Sequence, residues 1–157
     1  MASIRIRRAL ATDIKELVGL LQLLFSIEED FEFDASRQRR GLTMMLAHDG
    51  AVILVAEEAG RVIGMCTGQR MISTAEGGYS LLIEDVVVAE GCQGRGVGRG
   101  LLQGLEVWAE EMKVLRFQLL ADRSNAAGLG FYHKQNWQDT ELICLCKRPL
   151  SANWKRG

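Results

Sequence analysis

Five of the chain's seventeen glycines, Gly91, Gly94, Gly96, Gly98 and Gly100, crowd into one short stretch, and the whole sequence carries a single proline, Pro149. Glycine takes left-handed backbone angles without steric penalty and lets a ligand approach the main chain, but it costs conformational entropy on folding. A cluster this dense needs a reason. It lies between an apolar run with strand character, Leu81 to Val88, and an amphipathic segment, Gly98 to Lys113. In that segment Leu101, Leu102, Leu105, Trp108, Ala109 and Met112 recur at helical spacing. A glycine loop that feeds a helix start presents free N–H groups at the positive end of the helix dipole, which makes an anion site, most often for phosphate. Two common phosphate loops are excluded. A P-loop needs Lys and Ser or Thr after its second glycine, where this chain has Val97-Gly98. A dinucleotide fingerprint fails at its third glycine in both registers, with Arg99 in one and Leu101 in the other.

The remainder of the sequence predicts one domain, 1–157. Surface scaling has folding bury about 70% of the surface, enough for a core without disulfide or metal staples. With 48% apolar and 25% charged residues, the composition excludes disorder as the main state. A net charge of −1 gives no footprint for nucleic acid or an anionic membrane. The longest apolar stretch, Leu17 to Phe25, is far shorter than the roughly 20 residues of a spanning helix. Cys66, Cys92, Cys144 and Cys146 form no CxxC pair and have only two histidines for company, so buried, reduced thiols, no metal site and a cytoplasmic location are expected.

Pattern and turn residues predict a strand at Ser3–Arg7, then a helix opened by Thr12-Asp13 with Glu16 closing a capping box. A second helix over Ala35–Ala47 follows, then a hairpin of Ala51–Glu57 and Val62–Gln69, and a loop at Thr74–Gly78. Strand Leu81–Val88, helix Gly98–Lys113, strand Phe117–Ala121, helix Ala126–Gln135 and strand Thr140–Lys147 complete the chain. The order β-α-α-β-β-β-α-β-α-β implies an α+β or α/β domain with a mixed sheet.

The loop reads Gln93-Gly94-Arg95-Gly96-Val97-Gly98, a Gln/Arg-x-x-Gly-x-Gly/Ala pattern after the strand Ile83-Glu84-Asp85-Val86-Val87-Val88. Here the sequence resembles the GCN5-related N-acetyltransferase superfamily. Downstream, Asn125 to Trp137 is similar to that family's Asn-x-x-Ala-x-x-x-Tyr-x-x-x-Gly-Phe segment, with Gly128 at the alanine and Asn136-Trp137 at the Gly-Phe ending. Asparagine accepts the left-handed helix end almost as well as glycine. The opening, Arg5-x-Arg7-x-Ala9 and Thr12-Asp13-Ile14, also looks like the family's start. The resemblance implies an α/β/α sandwich with a mostly antiparallel sheet, and acetyl-CoA as acetyl donor with no metal. It implies that Gln93, Gly94, Arg95, Gly96, Val97, Gly98 and Arg99 hold the pyrophosphate through backbone N–H groups. Val86, Val87 and Val88 would hold the pantetheine arm, with Asn125 and Tyr132 completing the donor site. Homodimers are frequent in the family.

Acetyl transfer to an amine requires removal of a proton from an ammonium of pKa near 10 and delivery of one to the departing thiolate. Tyr132, a phenol of similar basicity, suits the second task, as the tyrosine at this position does in relatives. Glu84 leads as base, being a carboxylate in an apolar strand, where an unpaired charge is costly to bury. Strict alternation sets Glu84 and Asp85 on opposite faces, so only one faces the cleft unless a bulge intervenes. The N–H near Val86 is the natural oxyanion donor. His133, adjacent to Tyr132 on a helix, is expected to face elsewhere. On the acceptor side, Glu28, Glu29, Asp30, Phe31, Glu32, Phe33 and Asp34 form an acidic, aromatic segment expected to attract a small cationic amine. A merely solvated acidic turn explains it equally well, and Arg37, Arg39 and Arg40 stand ready to neutralise it. A protein N-terminal or lysine acetyltransferase and a non-catalytic acyl-CoA sensor remain the alternative readings.

Overall fold

In the computed structural model, which describes residues 2–28 and 30–150, a three-stranded antiparallel meander sets the frame. β2 (Ala51–Glu58) turns through Ala59 and Gly60 into β3 (Arg61–Ser73), which returns as β4 (Gly78–Val88). Both turn residues have positive φ, 50° and 77°, as the tight turn matching the twist of a hairpin requires. β1 (Arg5–Arg8) pairs antiparallel with β2 at one edge, and β5 (Val114–Leu119) pairs parallel with β4 at the other. The sheet order is β1-β2-β3-β4-β5.

The two faces of β3 carry different neighbours because its side chains alternate. Met65 joins Ile53, Val55 and Val87 in a core with Leu17, Val18, Leu21 and Leu24 of α1 (Ile14–Ile27) and Leu42 of α2 (Ala35–Leu46). On the other face, α3 (Val97–Glu111) lies against the bare backbone of β3. A Cβ at Gly64 would stand 3.0 Å from Val97 and 3.3 Å from Leu101, and one at Gly68 would stand 3.3 Å from Leu105. Leu101 and Leu105 are fully buried there, each worth about 2 kcal/mol of apolar transfer. Helices thus cover both faces of the sheet in an α+β, α/β/α arrangement. The chain divides into two compact units after Leu119, and the second holds α4 (Ala126–Lys134).

Several expectations need correction. Asp13 and Glu16 do not close a capping box: Asp13 ends a 3-10 turn (Ala11–Asp13) and binds Arg7 at 2.8 Å and 3.0 Å and the Leu10 N–H at 2.7 Å. Glu16 instead accepts the Val62 N–H at 2.9 Å. The guanidinium holds the Asp13 carboxyl below the usual carboxylate range. The strand expected over Thr140–Lys147 does not form among the described residues. A strand exists only as half of a ladder, and here the Leu142 N–H bonds locally to the Thr140 hydroxyl at 3.3 Å. Cys144 and Cys146 are accordingly exposed rather than buried, whereas Cys66 is buried as expected. Among the described residues no helix is long and apolar enough to cross a membrane, and no three His, Cys, Asp or Glu side chains are grouped to hold a metal ion.

Candidate active site

β4 changes character halfway along. Its parallel pairing with β5 runs from Tyr79 to Ile83 and stops there, opposite Leu119. Its antiparallel pairing with β3 continues to Val88. Residues 84–88 therefore keep one edge without a strand partner among the described residues, and alternate N–H and C=O groups on that edge are available to an extended ligand. The side chain of Val87 is committed to the α1 core, so Val87 offers only its main chain there, while Val86 and Val88 are half-buried.

A bulge marks where the open edge begins. Met65 pairs with Val87 and Thr67 with Glu84, so Cys66 faces both Asp85 and Val86. Asp85 has φ of 54°, the left-handed residue of such a bulge, a place glycine normally takes. The bulge overrides alternation, and Asp85 reaches the face of Thr67, whose hydroxyl lies 3.2 Å from Asp85 Oδ2 and 3.1 Å from the Glu84 carbonyl. Thr67 is buried. Burial first, and the Glu84 charge second, push the Asp85 carboxyl up to about 6, against the pull of the Thr67 hydroxyl. Burial likewise pushes the Cys66 thiol up, with Asp85 adding to it.

Beyond Val88 the main chain enters the glycine loop. Gly91, Gly94 and Gly96 have φ of 78°, 73° and 82°, and nothing lies within 4 Å of where their Cβ atoms would be. Gly96 is the N-cap of α3 and supplies no side-chain cap. The first N–H groups of an α-helix have no intrahelical acceptor, so those of Val97, Gly98 and Arg99 stand at the positive end of the dipole. That geometry fits a pyrophosphate. Gln93 donates from Nε2 to the Val88 carbonyl at 3.3 Å, tying the loop to the strand. The Arg95 side chain is engaged elsewhere, in a two-pronged ion pair with Glu58 that holds the Glu58 carboxyl below its ordinary range. Arg95 thus brings its main chain, not its guanidinium, to the site. Arg99 is exposed on the first turn of α3.

A groove of about 430 Å³ lies beside the end of β4, lined by Gly19, Leu20, Gln22, Leu23 and Ser26 of α1 with Ala89 and Glu90. The sequence reasoning missed this stripe, although Gly19, Gln22, Leu23 and Ser26 stand at i, i+3, i+4 and i+7 on one helix face. It also missed Thr67 and Glu58, for which one sequence carries no signal.

In the second unit, Asn125 caps α4 by accepting the Gly128 N–H at 3.0 Å. A Cβ at residue 128 would stand 2.7 Å from the Asn125 amide nitrogen, which accounts for glycine where the motif usually has alanine. At the other end Asn136 is left-handed, with φ of 66°. The Asn136 N–H bonds to the His133 carbonyl, and the Trp137 N–H to the Tyr132 carbonyl, each at 3.1 Å. That is a Schellman ending, completed by the Tyr132 and Trp137 rings 6.0 Å apart. Tyr132 is half-buried in this aromatic frame, and exposed His133 is bonded to Asp139 at 2.7 Å.

On the acceptor side, Glu28 is the C-cap of α1, its N–H bonded to the Leu24 carbonyl. Glu29 lies outside the described residues. Asp30 is exposed, and Phe31, half exposed, stands 5.7 Å from Phe25. Asp34 belongs to helix stability after all, as the N-cap of α2, accepting from the Ser36 and Arg37 N–H groups.

The model of the acetyltransferase (GNAT) family matches residues 15–137. No curated protein matches the chain. Among solved structures, a candidate acetyltransferase from Agrobacterium tumefaciens str. C58 is 26% identical, with a TM-score of 0.79 over 92% of this chain and 99% of its own. A sequence-predicted acetyltransferase from Clostridium acetobutylicum, solved with acetyl-CoA, is 23% identical, with a TM-score of 0.77 over 92% and 96%. Glucosamine-6-phosphate N-acetyltransferase from Arabidopsis thaliana is 21% identical, with a TM-score of 0.74 over 93% and 98%. The family match runs from the first helix through the split strand, the glycine loop and the tyrosine helix, and the chain belongs to the GNAT acetyltransferase family.

Proposed function

We propose that the chain, acting as one domain over residues 1–157, transfers the acetyl group of acetyl-CoA to a primary amine by direct attack in a ternary complex. The observation that carries this reading is the continuous track of main chain from the open edge of β4 through the left-handed glycines to the uncapped start of α3. Main-chain groups from Gln93 to Arg99 hold the pyrophosphate, and Val86 to Val88 hold the pantetheine. The thioester then arrives at Glu84 and Asp85, about 10 Å further along the strand from Val88. The Val86 N–H faces the developing oxyanion. The proton on the acceptor ammonium passes to the carboxylate pair of β4, and Tyr132, with Asn125 framing its helix, protonates the departing thiolate. Glu28, Glu29, Asp30 and Phe31 form the acceptor side, which suits a small cationic amine. Acetylation of an amino group in structural relatives supports the amine class.

The test is direct. Acetyl-CoA at saturation should raise the melting temperature by mass action, and no shift overturns the donor assignment. Release of CoA thiol is then followed with spermidine, glucosamine and a lysine-containing peptide. Turnover of a small amine supports the reading, turnover of the peptide alone redirects it to protein acceptors, and binding without turnover leaves a sensor. Tyr132→Phe should cut turnover about 10²-fold while leaving the melting shift intact.

A further inference from the structure

We infer that Asp85, rather than the sequence-favoured Glu84, is the group that takes the proton from the acceptor's ammonium, with the Thr67 hydroxyl positioning it. This rests on the acetyl-transfer reading and assigns a residue within it.

Four observations meet at this carboxylate. A non-glycine residue is held left-handed at φ of 54°, a conformation that costs free energy and persists only where the surroundings enforce it. The bulge that enforces it stands where β4 loses β5, so the carboxylate sits at the head of the open edge. The side chain reaches the hydroxyl of Thr67, which alternation sets on the same face of β3 as the core residue Met65. Finally, the one hydroxyl proton of Thr67 is contested by two acceptors, the Glu84 carbonyl at 3.1 Å and Asp85 Oδ2 at 3.2 Å. A charged Asp85 thus has a shared donor and is under-solvated. A protonated Asp85 becomes a donor and leaves the Thr67 proton to the carbonyl, which relieves the competition.

The titratable group that acts on Asp85 is Glu84 of its own strand, and Asp85 in turn pushes up the neutral Cys66 thiol of β3, while Leu17, Leu21 and Leu24 of α1 belong to the apolar core around Met65 and Val87. Burial and the Glu84 charge favour the protonated form, which brings the carboxyl to about 6 and narrows its gap to an ammonium by about two pH units relative to an ordinary aspartate. In the step itself, the ammonium gives one proton to Asp85 and the freed amine forms the C–N bond at the thioester carbonyl. The C–S bond breaks, the thiolate takes a proton from Tyr132, and the nitrogen's second proton restores the tyrosine. The net product proton leaves from Asp85 to solvent.

The experiment titrates the full chain carrying carboxyl-¹³C aspartate from about pH 3 to about pH 8 and records kcat/KM against pH with the amine that turns over fastest. One aspartate resonance, absent in Asp85→Asn, should have its midpoint near 6, and kcat/KM should rise with pH through the same midpoint. Asp85→Asn should lose that limb and fall about 10²-fold in turnover while still binding acetyl-CoA. Two variants move the limb in opposite directions. Thr67→Val removes a hydrogen bond to the charged form and shifts it to higher pH, and Glu84→Gln removes a like charge and shifts it to lower pH. These paired shifts keep the inference testable even where Asp85→Asn fails to fold, and a merely structural role would not produce them. An Asp85 midpoint in the ordinary range, an unchanged limb in Asp85→Asn, or limbs that ignore Thr67 and Glu84 overturns it while acetyl transfer stands. Absence of turnover with every amine overturns both readings.

Discussion

The two halves of β4 differ in almost everything but their strand. From Tyr79 to Ile83 the strand has a partner on each side, and Leu81 is fully enclosed while Ile83 is almost so. From Glu84 to Val88 it keeps β3 alone, bends at a left-handed aspartate and carries two adjacent carboxylates. The first half is satisfied internally, so its free energy goes into holding the sheet. The second half leaves main-chain groups without a strand partner among the described residues and holds a left-handed aspartate whose carboxyl burial pushes up to about 6, a local cost that the first half does not carry. One strand thus serves as both scaffold and site, and the change comes at the bulge.

The largest effect should come from breaking the scaffold half. Leu81→Ala, at a fully buried position, should cost about 2–5 kcal/mol in denaturant unfolding yet leave the pH limb of turnover in place. A moved limb would mean that the halves are not separable. Next, Gly96→Val puts a β-branched residue at φ of 82° and side-chain atoms into the anion space. Loss of the acetyl-CoA melting shift is expected, with a cost of about 1–2 kcal/mol from the left-handed angle, and calorimetry showing wild-type affinity would remove the loop from the site. The third effect sharpens the contrast by its sign. Because the Asp85 carboxyl is raised in the folded state, its ionisation opposes folding as pH rises from the ordinary aspartate range through about 6. Asp85→Asn should therefore stabilise the chain by about 1–3 kcal/mol at pH 7, and the gain should vanish below pH of about 4. Equal stability of the two proteins at both pH values would refute that local cost.

The loop was legible because glycine has few other reasons to crowd before a helix, and α4 because its cap, Asn125, and its stop, Asn136, use local chemistry. The carboxylate pair was legible only as a pair. Alternation separated Glu84 from Asp85, and the register slip that reunites them depends on β3, some eighteen residues away in sequence at Thr67. Asp13 shows the same limit: its spacing to Glu16 imitates a capping box, but Arg7, itself held by Glu57 at 2.7 Å, makes a stronger claim on it. Alternating apolar residues from Thr140 to Lys147 announced a strand that pairs with nothing among the described residues. Pattern reports what a segment is able to bury, and only the neighbours decide whether it does.

An open strand edge has one more consequence, for the protein's behaviour in solution. N–H and C=O groups that have no strand partner among the described residues, beside three consecutive valines, are a template onto which a stray extended chain can add. The bulge at Asp85 and the flanking negative charge interrupt that template, as bulges and inward charges do on natural sheet edges. The residue proposed to take the proton would thereby also act as a gatekeeper against self-association. On the proposed reading acetyl-CoA would occupy that edge, and it should then act as a shelf-life additive for the purified protein.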